Sequence, residues 1–221
     1  IRTPTLFELF GDRGSFKGND NLLPEQAKTT SLGLSYANKA TSITSSIYQQ
    51  QLTDSIVAIF NSSGVGGYTN VSRAEVNGIE IQANIDLNTS LSMLLQGTYI
   101  DSDTSSSYSV FNNKQLPGIY HQQYSAGLQY QFNNLWKATI RTSIDKDLYF
   151  NRINKVDDKN SNFGSGNPAD RTVTDLTLSW KSAKQSASIN INNVFDADYQ
   201  DLANRPAQGI NIQFKYSIEE L

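Results

Sequence analysis

The segment that decides the fold is Gly209-Ile210-Asn211-Ile212-Gln213-Phe214-Lys215-Tyr216-Ser217-Ile218. Ile210, Ile212, Phe214, Tyr216 and Ile218 fall on one side of an extended chain. Asn211, Gln213, Lys215 and Ser217 fall on the other. Successive side chains of a strand point to opposite faces, so strict alternation predicts a two-faced β-strand. The pattern recurs upstream. Ile79, Ile81, Ala83 and Ile85 alternate with Glu80, Gln82, Asn84 and Asp86; Tyr124, Ala126, Leu128, Tyr130 and Phe132 alternate with Ser125, Gly127, Gln129 and Gln131. Trp136, Ala138, Ile140 and Ile144 oppose Lys137, Thr139, Arg141 and Asp145. Shorter versions occur at Leu32-Leu34-Tyr36, Leu91-Met93-Leu95, Leu176-Leu178-Trp180 and Ala187-Ile189-Ile191. Nine strands are predicted, over 28–37, 40–59, 68–87, 89–102, 120–132, 135–149, 171–181, 185–193 and 209–218. No segment of helical length shows a 3.6-residue period.

The connections alternate as strictly as the side chains. Short turns fall at Asn38-Lys39, Asn88-Thr89, Asn133-Asn134 and Ser182–Lys184, and asparagine suits them because it tolerates positive φ. Long polar connections fall between them, at 60–67, 103–119, 150–170 and 194–208. A soluble sandwich has no reason to gather all its long loops at one end. An outer-membrane barrel has short periplasmic turns and long external loops. The strands at 40–59 and 68–87 also exceed the roughly 9–11 residues that cross a bilayer, so they are expected to project beyond it. Aromatics at 36, 99, 130, 132, 136, 180 and 216 stand at strand ends, where a lipid-facing band carries its girdles. Periodicity alone leaves a soluble β-sandwich or lipocalin-like barrel open, because it does not say which face is inside.

Composition narrows the function classes. The 221 residues carry 18 basic and 21 acidic side chains, for a net charge of −3, and more than a third are Ser, Thr, Asn or Gln. That balance argues against a nucleic-acid surface, which needs clustered Lys and Arg. The absence of cysteine removes disulfides, Cys-based zinc sites and thiol catalysis. A single histidine, His121, argues against a His-rich metal site or a Ser-His-Asp triad. The longest unbroken apolar run is Ile56-Val57-Ala58-Ile59-Phe60, far short of the roughly 20 residues of a spanning helix. The chain opens on Ile1, and a fragment of a longer protein is the expectation.

Four segments in order resemble the TonB-dependent outer-membrane receptor family. IRTPTLFELFGDRG, followed by GNDNLLPE, is similar to the family's Arg-Ala-Pro-Ser/Thr strand end and its Asn-Pro-x-Leu-x-Pro-Glu loop. Arg2, Pro4, Thr5, Glu8, Leu9, Asn19, Leu22, Pro24 and Glu25 fit; Thr3 stands where Ala is usual, and Asp20-Asn21 blurs the Asn-Pro step. Asn70 to Glu80 resembles the family's Asn-to-Gly-Val-Glu strand. Asn192-Asn193-Val194-Phe195-Asp196-Ala197-Asp198-Tyr199 resembles the Asn-Leu-Phe-Asp-x-x-Tyr motif, with Val194 for Leu. Gly209 to Ile218 resembles the terminal strand, although the chain runs on to Glu219-Glu220-Leu221 where the family usually ends on an aromatic.

The resemblance implies an all-β fold: residues 1–221 as the C-terminal part of an antiparallel transmembrane barrel, about nine strands of an expected 22, without the N-terminal plug and earlier strands. It implies a bacterial outer-membrane location and import of a scarce ligand, foremost a ferric siderophore, with vitamin B12, haem, other metals or glycans as alternatives. A passive porin or structural β-barrel is the other class. Implied partners are outer-membrane lipid, the plug and remaining strands, TonB through the absent N-terminal part, and the small-molecule ligand. No enzyme activity, cofactor or nucleic acid is implied.

Candidate ligand contacts are the aromatic and amide groups of the long loops: Tyr108, Phe111, Asn112 and Asn113 in one, Tyr149, Phe150, Arg152 and Phe163 in or beside another. Rigid aromatics with Asn and Arg suit a bulky ligand, though girdle or loop packing is the competing explanation. Glu80, Gln82, Arg141 and Asp145 are expected to face the lumen or plug, with Arg141 and Asp145 close enough in pattern to pair. Asn190 and Asn192 read as hydrogen-bonding groups of a wet interior, and Glu25 as the anchor of a strand start. Asp101-Ser102-Asp103 and Asp157-Asp158 are read as exposed loop carboxylates without the ligand spacing of a calcium loop. His121, just past Pro117-Gly118, is read as an interfacial or loop polar residue.

The loop lengths generate a topology prediction. External protease on intact cells is expected to cut within 103–119 and 150–170 and to spare Asn38, Asn88 and Asn133. Cleavage at the asparagine turns alone would reverse the orientation.

Overall fold

A computed structural model of the chain describes residues 1–12, 14, 16–60, 65–106, 109–149, 153–154, 170–202 and 205–218. Its elements are a short helix α1 (Leu6–Phe10), then β1 (Phe16–Lys17), β2 (Gln26–Ala37), β3 (Thr41–Phe60), β4 (Gly66–Asp86), β5 (Leu91–Ser105), β6 (Tyr120–Gln131), β7 (Trp136–Leu148), β8 (Arg171–Lys181), β9 (Gln185–Asn192), β10 (Gln200–Leu202), β11 (Arg205–Pro206) and β12 (Asn211–Ile218). The nine predicted strands are β2 to β9 and β12. From β2 to β9 each pairs antiparallel with the next, and β12 closes the series on β9. Three short additions were not legible: α1 is too brief to show a period, and β1 and the β10–β11 pair are two or three residues each.

Register turns alternation into two continuous faces. Ile85, Met93, Leu128, Ile140, Leu176, Ile191 and Ile212 stand side by side across seven strands. On the opposite face Ser35, Thr44, Gln82, Gln96, Ser125 and Ser143 form a row across six. The apolar face is bare: Leu34 is 73% exposed and Ile212 69%. A soluble sandwich would cover that face with a second sheet. Here one sheet presents it outward, which is stable only against hydrocarbon.

The apolar band has edges. On β5 it runs from Leu91 to Tyr99; nine residues at about 3.3 Å each, tilted about 40°, make roughly 23 Å of height, near the ~25 Å of outer-membrane barrels. Its lower margin is aromatic, with Trp136 opposite Trp180 and Tyr130 packed edge-on against Phe132 at 5.0 Å. Its upper margin turns polar in register along Thr30, Gln49, Asn77 and Asp101. β3 and β4 continue beyond that line. Among the described residues no helix is long and apolar enough to cross a membrane, which says nothing of strands.

The turns use asparagine for a different reason from the one expected. None of Asn38, Asn88 or Asn133 has positive φ. Each side-chain carbonyl instead accepts the backbone N–H groups two and three residues on: Ala40 and Thr41 (2.8 Å each), Ser90 and Leu91 (2.9 and 3.0 Å), Leu135 and Trp136 (2.9 and 3.0 Å). This Asx-turn chemistry satisfies donors that a tight reversal leaves over.

The two faces generate a mutational prediction. Arginine at Ile81, Leu128 or Ile212 is expected to cost about 2–4 kcal/mol in bilayer refolding titrations, and far less at Gln82, Gln129 or Gln213. Equal costs on the two faces would sink the lipid-facing assignment.

Candidate functional site

At the end of the wall bearing the long connections, side chains replace the ladder where strands part. β6 pairs with β5 only as far as Tyr99 opposite Gln122. Beyond that point Gln115 takes its place: its side-chain carbonyl accepts the Ser102 N–H at 2.9 Å, and its amide donates to Asp101 Oδ1 at 2.9 Å. The Ser102 hydroxyl, 3.1 Å from His121 Nε2, accepts the Leu116 N–H at 2.9 Å. His121 Nδ1 lies 2.8 Å from the Asp147 carbonyl, and the ring packs edge-on against Tyr149 at 5.8 Å. The Thr104 hydroxyl donates to the carbonyls of Phe111 (2.7 Å) and Lys114 (3.0 Å). Ser102, Thr104 and His121 are all buried, and Ser102 and Thr104 fasten residues 109–118 against the wall.

Several expectations change here. His121 is a strand residue buried at 4% exposure, between Ser102 and Asp147, rather than an interfacial or loop group. Asp101-Ser102-Asp103 belongs to β5, not to a loop; above the band both faces of a strand are polar, so alternation gives no signal there. Asn112 and Asn113 shape the loop: Asn112 Oδ1 accepts the Ser106 N–H at 2.6 Å, and Asn113 adopts φ 53° while its N–H donates to the Thr104 carbonyl at 2.9 Å. Phe111 and Tyr149 stand in the same rim. The two candidate loops are stitched by Asn154, whose carboxamide pairs with the Gln115 backbone at 2.6 and 2.9 Å. Tyr108, Phe150, Arg152, Asp157, Asp158 and Phe163 lie outside the described residues.

On the polar face Glu80 and Gln82 line a hollow of about 510 Å³ with Thr44, Ser46, Gln96 and Thr98. Arg141 and Asp145 share that face but do not pair. They are four residues apart along one strand, about 13 Å, whereas cross-strand neighbours stand about 5 Å apart. Asp145, 5% exposed, instead pairs with Arg171 of β8 at 2.7 Å and accepts the Gln123 amide at 3.0 Å. Arg171 lies between the rings of Tyr120 and Tyr199, at 5.0 and 5.2 Å from their centroids. Sequence reading missed Arg171 because its significance is its register opposite Asp145. Asn192 donates to Asn211 at 2.8 Å and Thr177 donates to Asn190 at 2.9 Å, both on the polar face. Among the described residues no cluster of His, Asp or Glu is arranged to hold a metal.

The quoted motifs turn out to be clasps. Arg2 bonds both Glu8 and Glu25, while its backbone bridges Glu25 at 2.9 Å in each direction. Thr5 and Glu8 form a reciprocal capping box at α1, and Gly11 ends it at φ 70°, where a Cβ would stand 2.3 Å from the Phe16 carbonyl. Glu25 also accepts the Ile56 N–H at 2.6 Å, and Asn70 pairs with both backbone groups of Leu23 at 2.8 and 2.9 Å. At the other end Asn193, 2% exposed, pairs with the backbone of Ala197 at 2.8 and 2.9 Å. Asp196 accepts the Ile210 N–H at 2.9 Å, and a Cβ on Gly209 would meet that carboxylate at 2.5 Å.

The chain matches the family described as "TonB dependent receptor-like, beta-barrel" over residues 1–194, and it belongs to that family. Members are bacterial outer-membrane proteins, and the family is one of transporters rather than enzymes. Solved structures share the fold. The copper transporter OprC is 20% identical with a TM-score of 0.78, over 97% of this chain and 35% of that one. The siderophore receptor PiuA from Acinetobacter baumannii is 18% identical with a TM-score of 0.66, over 86% and 28%. The ferric citrate transporter FecA in its unliganded form is 15% identical with a TM-score of 0.71, over 87% and 30%. No curated protein sequence matches. The chain spans about a third of the length of these structures.

The Arg2 clasp generates a pH prediction. The hydrogen bond from Arg2 holds the Glu8 and Glu25 carboxyls below their ordinary range and the guanidinium above its own. A depressed carboxylate contributes stability that is present above its unfolded pKa, about 4.3, and lost as pH falls through the folded value. Hydrogen-exchange protection at the Gly11 and Asn19 amides is therefore expected to be constant near neutrality and to collapse below about pH 4. Glu25→Gln is expected to weaken protection and flatten the profile. Full protection retained at pH 3 would mean that packing, not the ion cluster, holds the segment.

Proposed function

We propose that this chain is the C-terminal part of the barrel of an outer-membrane transporter that imports a scarce ligand with energy delivered by TonB. The observation that carries the reading is the two-faced wall in the family's strand order. One face is continuous and apolar; the other is continuous and polar and carries the Arg171–Asp145 ion pair. Such a wall serves passage only when closed. β2 is exposed along all twelve residues and β12 is the opposite sheet edge. Unpaired strand edges cost several kcal/mol per group in hydrocarbon, so further strands of the same polypeptide are proposed to complete the barrel around a plug.

The proposed ligand is a ferric siderophore. The siderophore receptor and ferric citrate transporter among the structural neighbours support an iron chelate, while the copper transporter keeps other metals in view. Binding is assigned to the rim, where Phe111, Asn112, Asn113 and Tyr149 stand with the Arg171–Asp145 pair below, and to Tyr108, Arg152 and Phe163 of the same two loops. Glu80, Gln82 and Arg141 would line the conduit or meet the plug.

Labelled-ligand uptake by cells carrying the full-length protein tests this, with ferric chelates and cobalamin as probes. Deleting 108–113 or 152–163 is expected to weaken binding and leave the barrel assembled, since external loops contribute little to the ladder. Uptake is expected to vanish without TonB. Undiminished uptake in its absence would make the barrel a passive pore, and loop deletions that leave binding intact would move the site to the plug and the other strands.

A further inference from the structure

At the end of the wall away from the folded-back loop, four strands carry one row on the hydrated face. Lys137 stands opposite Ser179, Ser179 opposite Ser188, and Ser188 opposite Lys215. In the next row outward Lys181 faces Ser186, and Ser186 faces Ser217. The rows line a hollow of about 660 Å³. On the lipid face at the same level Trp136, Trp180, Ala187 and Tyr216 are in register, so the lysines lie behind the lower aromatic girdle, at the mouth of the lumen. Among the described residues neither Lys137 nor Lys215 has a carboxylate partner.

The geometry limits what the row can hold. Lys137 and Lys215 are three ladder steps apart, about 14 Å at ~4.8 Å per step. One small anion cannot touch both. An extended peptide rises about 3.3–3.4 Å per residue and alternates its side chains, so residues i and i+4 project the same way about 13–14 Å apart. The serines between the two lysines are small enough for a main chain to lie close, and their hydroxyls both donate and accept.

We propose that this row is the seat of an extended acidic segment of the plug, crossing the strands with two carboxylates four residues apart on Lys137 and Lys215. Lys181 borders the seat on its mouth side. The proposal rests on the reading of the barrel as plugged. It makes the lower lumen an electrostatic latch, which weakens as salt screens it.

Zero-length carbodiimide cross-linking of the full-length protein in detergent, read by peptide mass spectrometry, is the direct test. Lys137 and Lys215 are expected to join carboxylates four residues apart in one plug peptide. Planar-bilayer conductance under a urea titration is the functional test. Lys137→Glu with Lys215→Glu is expected to raise the open fraction at a fixed sub-midpoint urea concentration at least threefold. The corresponding Gln pair is expected to fall between, and 1 M salt to bring the parent protein close to the Gln pair. Lys146→Glu, outside the lumen, is expected to behave as the parent. Absence of cross-links to the plug, or Glu and Gln pairs that open with the parent, overturns the latch. If the Glu pair fails to assemble, the Gln pair and the salt series decide. A parent protein that conducts before any urea has no plug, and that result overturns the underlying reading instead.

Discussion

Everything in this structure answers to one constraint: a backbone N–H or C=O facing hydrocarbon has to be paired within the protein. Strands meet it only by continuous ladders, and β2 to β9 with β12 form one such ladder with every neighbour antiparallel. Antiparallel order follows from the short turns, which permit nothing else. Once the ladder exists, side-chain period and backbone pairing together force the two faces. A row such as Ile85 to Ile212 is therefore a consequence of register and not a separate feature.

The same constraint explains the rim. Where strands part, amides would be left over, and short polar side chains take them. Gln115 accepts the Ser102 N–H, Asp175 accepts the Asn193 N–H at 2.9 Å, and Asp196 accepts the Ile210 N–H. Asn38, Asn88 and Asn133 do the equivalent at the turns. The high content of Asn, Gln, Ser and Thr thus has a structural use at both ends of the wall as well as along its wet face. The motifs that carry the family resemblance are mostly such devices. They identify the scaffold.

Charge is distributed along the polar face in a way that composition conceals. Near the rim Asp145 and Arg171 neutralise one another, whereas Lys137 and Lys215 near the girdle have no described partner. A net charge of −3 would never have indicated a local excess of cations. Coulomb interactions depend on separation, and separation across strands is fixed by register.

The sequence by itself determined the nine long strands, their two-faced character, the alternation of short and long connections and the family. Each of these is local, written within ten to twenty residues by side-chain period or by a short motif. It also placed Glu80, Gln82, Arg141 and Asp145 on the polar face of the sheet, because face membership is parity. Only the tertiary structure decided which groups meet. Asp145 found Arg171 instead of Arg141, His121 was buried against Ser102 and Asp147, and Gln115 joined Asn154 across thirty-nine residues. Strand pairing sets such contacts, and parity within one strand carries no information about its neighbour's register.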